Sequence, residues 1–145
     1  MRLCALVLAC LPLMAEAETP PAQTPPAETP MAESPMTGAE FDAFATGKTL
    51  DYFSDGWAFG RETYLPGRVV QWAATGDLCK SGSWYEDRGN ICFLYDGDPE
   101  AKCWTIWQDG DGLLASYMGD LPGDPPRQVL ETDEPLACMG PEVGV

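Results

Sequence analysis

Four cysteines in the second half of the chain are the residues whose type and spacing point most directly to chemistry. They are Cys79, Cys92, Cys103 and Cys138. Such cysteines form disulfides, act as redox pairs or bind metal ions, and the last two uses favour a Cys-x-x-Cys motif or neighbouring histidines. The chain has neither that motif nor any histidine. We therefore expect two structural disulfides, with no cofactor and no bound metal.

The register of one predicted hairpin suggests how these cysteines pair. The strands on either side of the turn at 96–101 are expected to run antiparallel, and their spacing allows Cys92 to lie opposite Cys103. Directly opposed residues have Cβ atoms about 4.5–5.5 Å apart, which is close to the reach of a disulfide. Four cysteines allow three connectivities, and we predict Cys92–Cys103 and, by default, Cys79–Cys138. In this register one face of the hairpin carries Ile91, Phe93, Trp104 and Ile106.

The acidic residues around the same hairpin look at first like calcium ligands. Asp96, Asp98 and Glu100 lie in one turn, and Asp109 and Asp111 lie in the next. The strand between the two groups separates them by roughly 23 Å at about 3.3 Å per residue, so they cannot share one ion. Neither group follows the twelve-residue calcium loop. We interpret these acids as turn residues, with weak cation binding as the alternative.

Acidic side chains are nevertheless expected to gather at one end of the sheet. In a meander, the turns that follow the predicted strands 82–86 and 102–108 lie at the same end. The members of this predicted acidic rim are Glu86, Asp87, Asp109 and Asp111. The whole chain carries 23 acidic and 8 basic residues, a formal net charge of −15. Such a charge repels phosphate backbones, which excludes nucleic-acid binding, and it attracts basic proteins.

Catalysis has little support in the sequence. A nucleophile needs a base within reach, and histidine, the most frequent base, is missing. Ser81, Ser83 and Ser116 lie in no recognisable nucleophile motif. No carboxylate pair of the kind that glycoside hydrolases use can be distinguished from the acids of the turns. We therefore expect a protein that is not an enzyme.

The N-terminus has the pattern of a secretory signal peptide. Arg2 precedes an apolar run at 3–14, and Ala15-Glu16-Ala17 provides a cleavage site, which predicts a signal peptide at 1–17. The run is too short to span a bilayer, which takes roughly 20 residues, and no later run approaches that length. We expect export to the periplasm or the extracellular space. Lipidation at Cys10 is a second, less favoured interpretation that would anchor the protein to a membrane.

The next segment, 18–36, repeats Pro, Thr, Ala and Glu and offers almost nothing apolar to bury. We interpret it as a disordered, extended linker. The folded domain is predicted over 37–145. It begins with a short helix, because Thr37 and Glu40 stand at capping-box spacing and Gly47 provides a stop.

Beyond Lys48 the pattern is typical of a β-sheet. Short runs of β-branched and aromatic residues alternate with turn residues such as Pro66-Gly67 and Asp109-Gly110. This predicts an all-β fold, an antiparallel meander of about seven or eight strands. Such a meander can curl into a small, lipocalin-like barrel or into a half-barrel, and the sequence leaves both open. The chain has five Trp, five Tyr and five Phe, which form a core or line a ligand cavity. The predicted strands are 49–53, 57–65, 68–74, 82–86, 90–95, 102–108, 113–118 and 128–132.

The central part of the chain resembles small secreted bacterial domains of unknown function. These share a Gly-x-Trp strand, a tight turn, a cysteine on the next strand, and Cys-Trp or Cys-Tyr on the one after. The matching residues here are Gly82, Trp84, Cys92, Cys103 and Trp104. The resemblance implies export and a disulfide-tied β-meander, with no catalytic residues. By architecture alone, the chain is also similar to periplasmic inhibitors of lysozyme or proteases.

Together these observations favour a non-catalytic interaction module of the periplasm or cell envelope that binds a basic protein through its acidic end. The alternatives are a lipocalin-like binder of a small apolar ligand and an inhibitor of a basic hydrolase such as lysozyme.

Overall fold

The computed structural model describes residues 34–138, which form a closed antiparallel barrel with one short helix. The predicted signal peptide 1–17, the predicted linker up to residue 33 and the end of the chain lie outside the described residues. The elements are α1 (Gly38–Ala45), β1 (Thr49–Ser54), β2 (Trp57–Leu65), β3 (Val69–Ala74), β4 (Lys80–Asp87), β5 (Asn90–Tyr95), β6 (Lys102–Asp109), β7 (Gly112–Tyr117) and β8 (Arg127–Glu131).

The barrel closes because β8 pairs with both β7 and β1. Leu113 lies opposite Val129 in one ladder, and Tyr52 lies opposite the same Val129 in the other. All other neighbours are consecutive strands, so the sheet has no unpaired edge. The predicted all-β class is therefore confirmed, and the meander is a closed eight-stranded barrel.

Two-residue turns with positive φ values form short connections between neighbouring strands. Arg88 and Gly89 join β4 to β5 with φ values of 51° and 78°. Positive φ at both central residues defines the hairpin turn whose twist matches that of the strands, and it favours glycine. Asp55 and Gly56 join β1 to β2 in the same way, with φ values of 51° and 80°.

Helix α1 covers the end of the barrel at which β1 begins. Thr37 caps it as predicted: the backbone N–H of Glu40 donates to Thr37 Oγ1, and Glu40 accepts from the backbone N–H of Thr37. Phe41 is fully buried and makes edge-on contacts with Tyr64, Trp84 and Phe93. This end of the barrel is therefore filled by side chains.

The packed domain extends one residue before the predicted boundary. Met36, at the end of the predicted linker segment, is buried, and its backbone N–H donates to the carbonyl oxygen of Ile106 at 2.7 Å. This contact fixes the approach of the chain to α1. No helix within 34–138 combines the length and the hydrophobicity needed to cross a membrane.

Both predicted disulfides are present. Cys92 lies opposite Cys103 in the β5–β6 ladder, with 3.9 Å between the Cα atoms. Cys79 and Cys138 are joined across 59 positions. On its way to Cys79 the C-terminal tail passes over the outside of β2, where Arg61 donates to the carbonyl oxygen of Pro135 at 2.9 Å. Disulfides indicate an oxidising, non-cytoplasmic compartment.

Candidate functional site

A cavity of about 720 Å³ lies inside the barrel, at the end opposite α1. The loops between β3 and β4 and between β5 and β6 surround its mouth. Six of the fourteen lining residues are aromatic, a single buried carboxyl group lies at the floor, and charged side chains occupy the mouth. The lining residues are Tyr52, Phe59, Glu62, Trp72, Ala74, Asp77, Leu78, Cys79, Lys80, Phe93, Tyr95, Asp98, Lys102 and Trp104.

One side of the cavity is a cluster of three aromatic rings. Tyr52 lies 5.4 Å from Trp72 and 6.1 Å from Phe59 between ring centroids, and Phe59 lies 6.0 Å from Trp72. Gly60 makes room for this cluster, because a Cβ atom there would overlap the Trp72 indole. A β-bulge between Tyr52 and Phe53 brings Phe59 and Gly60 to the same place in the ladder.

Glu62 is the only buried acidic or basic side chain among residues 34–138, with 1% of its surface exposed. Its Oε1 atom accepts a hydrogen bond from the Tyr95 hydroxyl at 2.8 Å. Its Oε2 atom accepts from Tyr64 at 2.7 Å. The Tyr52 hydroxyl lies 3.3 Å from Oε2 and also contacts the Tyr64 hydroxyl, so its single proton is donated either to Oε2 or to Tyr64. Three strands thus hold the carboxyl group in place through neutral phenols.

Burial has the largest effect on the pKa of Glu62. It raises the pKa of Glu62 from 4.5 to about 7, although the phenol hydrogen bonds act in the opposite direction. Burial, followed by the nearby carboxylate, also raises the pKa values of Tyr52, Tyr64 and Tyr95. The phenols therefore remain hydrogen-bond donors at all ordinary pH values, while Glu62 changes charge near neutrality.

The mouth of the cavity carries a charged triad. Asp98 accepts from Lys80 at 2.8 Å and from Lys102 at 2.5 Å. These bonds, first that from Lys102, lower the pKa of Asp98 to about 2. Lys102 also lies 5.7 Å from the centre of the Tyr95 ring. Asp98, predicted as a turn residue, therefore has a second role in holding two lysines beside the cavity.

The predicted acidic rim lies at the opposite end of the barrel from the cavity. Glu86 and Asp87 end β4, and Asp109 ends β6 on the same side, with Asp111 in the next turn. Glu86 accepts from the backbone N–H of Gly38 at 2.6 Å, so this carboxylate binds the start of α1. Within residues 34–138, no three His, Cys, Asp or Glu side chains form a group that could hold a metal ion.

Sequence reasoning missed the central residue of the cavity. Glu62 was not singled out among the acids of the sequence, whereas the structure places it among Tyr52, Tyr64 and Tyr95. A signal was present: Glu62 and Tyr64 are two apart in a strand, and residues two apart share a face. An acid in register with a core tyrosine is a candidate for burial.

Comparisons with protein-family models, with curated proteins and with solved structures gave no match for this chain. The resemblance to small secreted bacterial domains therefore stays a prediction. The geometry of the cavity carries the functional argument.

Proposed function

We propose that this protein is a non-catalytic binder of a small, largely apolar molecule inside the barrel, and that it works in the periplasm or the extracellular space. The cavity opposite α1 is the observation that carries the proposal. Its volume of about 720 Å³ lies within the roughly 300–1,000 Å³ that is typical of ligand pockets. An apolar wall with a few fixed polar groups is also typical of such pockets.

The two ends of the barrel differ, and this difference supports the assignment. Phe41 and its neighbours fill the end at α1, whereas the other end, where the small side chain of Ala74 is part of the wall, holds a cavity. A barrel that needed only a core could fill both ends with side chains. The Cys79–Cys138 disulfide lies at the open end and joins the mouth loop to the C-terminal tail. Both disulfides support a location outside the cytoplasm.

The test is binding of the neutral fluorescent dye N-phenyl-1-naphthylamine to the full chain with its disulfides intact. Two variants place a phenyl ring on the same strand: Ala74→Phe points into the cavity, and Gln71→Phe lies on the exposed outer face. We expect dye binding by the wild type and by Gln71→Phe. Ala74→Phe should weaken it by about tenfold or more, because the ring takes up space that the dye needs.

Thermal unfolding of the two variants is the control that checks whether both are folded. The proposal is wrong if the wild type does not enhance dye fluorescence, or if Ala74→Phe and Gln71→Phe bind the dye equally well.

The second candidate function is contact with a basic protein at the end of the barrel opposite the cavity. The observation in its favour is that Asp87 and Asp111 are exposed at the end where α1 lies, on a chain of net charge −15. It predicts that the protein inhibits lysozyme at stoichiometric amounts and that Asp87→Asn with Asp111→Asn removes the effect. It also predicts that binding weakens as salt shortens the Debye length below about 8 Å.

A further inference from the structure

The floor of the cavity has unused capacity to accept hydrogen bonds. An ionised carboxylate can accept about four hydrogen bonds, two at each oxygen. Glu62 Oε2 lies within hydrogen-bond distance of two phenol hydroxyls, whereas Oε1 lies within that distance of only one, that of Tyr95. Glu62 and Tyr95 both line the cavity. One acceptor site of the carboxylate, at Oε1, therefore has no partner among the described residues.

The buried carboxylate also has no partner of opposite charge in the described part of the chain. None of the ion pairs within residues 34–138 includes Glu62, and its hydrogen-bond partners are neutral phenols. The lysines nearest the cavity are Lys80 and Lys102, which bind Asp98 at the mouth. A buried charge without a counter-ion is costly, so a cation at this place would be stabilised strongly.

The surroundings of the floor also favour a cation. The faces of Trp, Tyr and Phe rings attract positive charge, and Tyr52, Phe59 and Trp72 form such a wall next to Glu62. The net charge of −15 attracts cations over a longer range. At the mouth, the two lysines are matched in number by Asp77 and Asp98, so the entrance is close to neutral overall.

We propose that the ligand is an organic cation, an apolar or aromatic amine whose protonated nitrogen donates to Glu62 Oε1 while its apolar part contacts the aromatic wall. This inference rests on the proposed function, and it makes Glu62 the residue that selects the ligand by charge.

The pH dependence of binding should follow from the same geometry. The groups that face Glu62 are the phenols of Tyr52, Tyr64 and Tyr95, which keep their protons, and the charged groups at the mouth are Lys80, Lys102, Asp77 and Asp98. Since Glu62 has a pKa of about 7 and alkylammonium ions stay protonated like lysine, only the carboxyl group changes charge near neutrality. A cation should bind more weakly at about pH 5.5 than at about pH 8, by up to about thirtyfold, which is the ratio of the ionised fractions of Glu62.

The test compares three probes with the same alkyl chain: decylamine, decanol and decanoate. Affinities are measured by calorimetry, with the full oxidised chain at about pH 8, for the wild type, Glu62→Gln and Glu100→Gln. Glu100 is an exposed acid at the same end of the barrel that does not line the cavity, so its variant controls for the loss of one negative charge. We expect the wild type and Glu100→Gln to prefer decylamine over decanol by about tenfold to a hundredfold, as for a charge-assisted hydrogen bond.

Glu62→Gln should lose this preference and still bind decanol, which also shows that the variant is folded. If Glu62→Gln does not fold, the comparison of amine with alcohol and of the two pH values in the wild type still decides the question.

Each other outcome overturns the inference in a distinguishable way. Equal binding of decylamine and decanol would leave the proposed function intact and remove the role of Glu62. A preference for decanoate would move the anchor to Lys80 and Lys102 at the mouth. Binding of the neutral dye N-phenyl-1-naphthylamine without binding of decylamine would also exclude a protonated amine as the ligand. Failure of every probe, the dye included, would contradict the proposed function itself.

Discussion

The buried carboxyl group of Glu62 should control how the stability of this protein depends on pH. Its pKa is 4.5 when exposed and about 7 in the folded protein, because burial penalises the charged form. Between these two values the folded state holds more protons than the unfolded chain. The free energy of unfolding therefore falls as the pH rises through this window, and it becomes level above it.

The size of this loss in the free energy of unfolding follows from the pKa shift of Glu62. A shift from 4.5 to about 7 corresponds to a loss of about 3 kcal/mol, most of it between about pH 5 and about pH 8. Few other groups contribute in this window. The chain has no histidine, the lowered pKa of Asp98 acts at lower pH, and the raised pKa of Tyr95 acts at higher pH.

The assay is urea unfolding at a series of pH values, without ligand, for the wild type, Glu62→Gln and Glu100→Gln. We expect the wild type and Glu100→Gln to lose about 2 to 3 kcal/mol between about pH 5 and about pH 8. Glu62→Gln should show an almost level profile, because glutamine does not titrate. A level profile in the wild type, or a loss of equal size in Glu62→Gln, would refute the assignment of this pKa to burial.

Three further perturbations test how the barrel is held together. Replacement of Cys79 and Cys138 by alanine should lower the free energy of unfolding by up to about 4 kcal/mol, because in the chain-entropy model their separation of 59 residues closes a long loop. An unchanged thermal midpoint would contradict this. Phe41→Ala should cost about 3–5 kcal/mol in urea unfolding, because its ring fills the end of the barrel at α1; a cost below about 1 kcal/mol would show that α1 contributes little. Gly60→Ala should cost about 1–3 kcal/mol and change the tryptophan fluorescence, because the added methyl group overlaps the Trp72 indole; unchanged stability and emission would contradict that contact.

Much of the local structure could be predicted from the sequence because it depends on short-range patterns. The β5–β6 hairpin was predicted with its register, and Cys92 does lie opposite Cys103. The helix start at Thr37 was predicted because a capping box is a local interaction among four residues. The bounds were less accurate where pairing decides them. β4 begins at Lys80 and not at residue 82, because Lys80 and Ser81 pair with β3.

The candidate site was much less predictable. An acidic side chain is usually solvated, so nothing in the composition distinguished Glu62 from the other acids. Its burial depends on three phenols from β1, β2 and β5 meeting at one point. The predicted acidic rim does share one end of the barrel, but the packing of α1 engages Glu86 with the backbone of Gly38.

The sequence by itself thus determined the all-β class, the strand order, the turns and the β5–β6 disulfide, since each depends on neighbouring residues or on one hairpin register. Only the tertiary structure decided that β8 returns to β1, that Phe41 fills one end while the other holds a cavity, and that Glu62 lies at its floor. These features depend on contacts between distant parts of the chain. Such contacts are set by packing in three dimensions, and no local pattern encodes them.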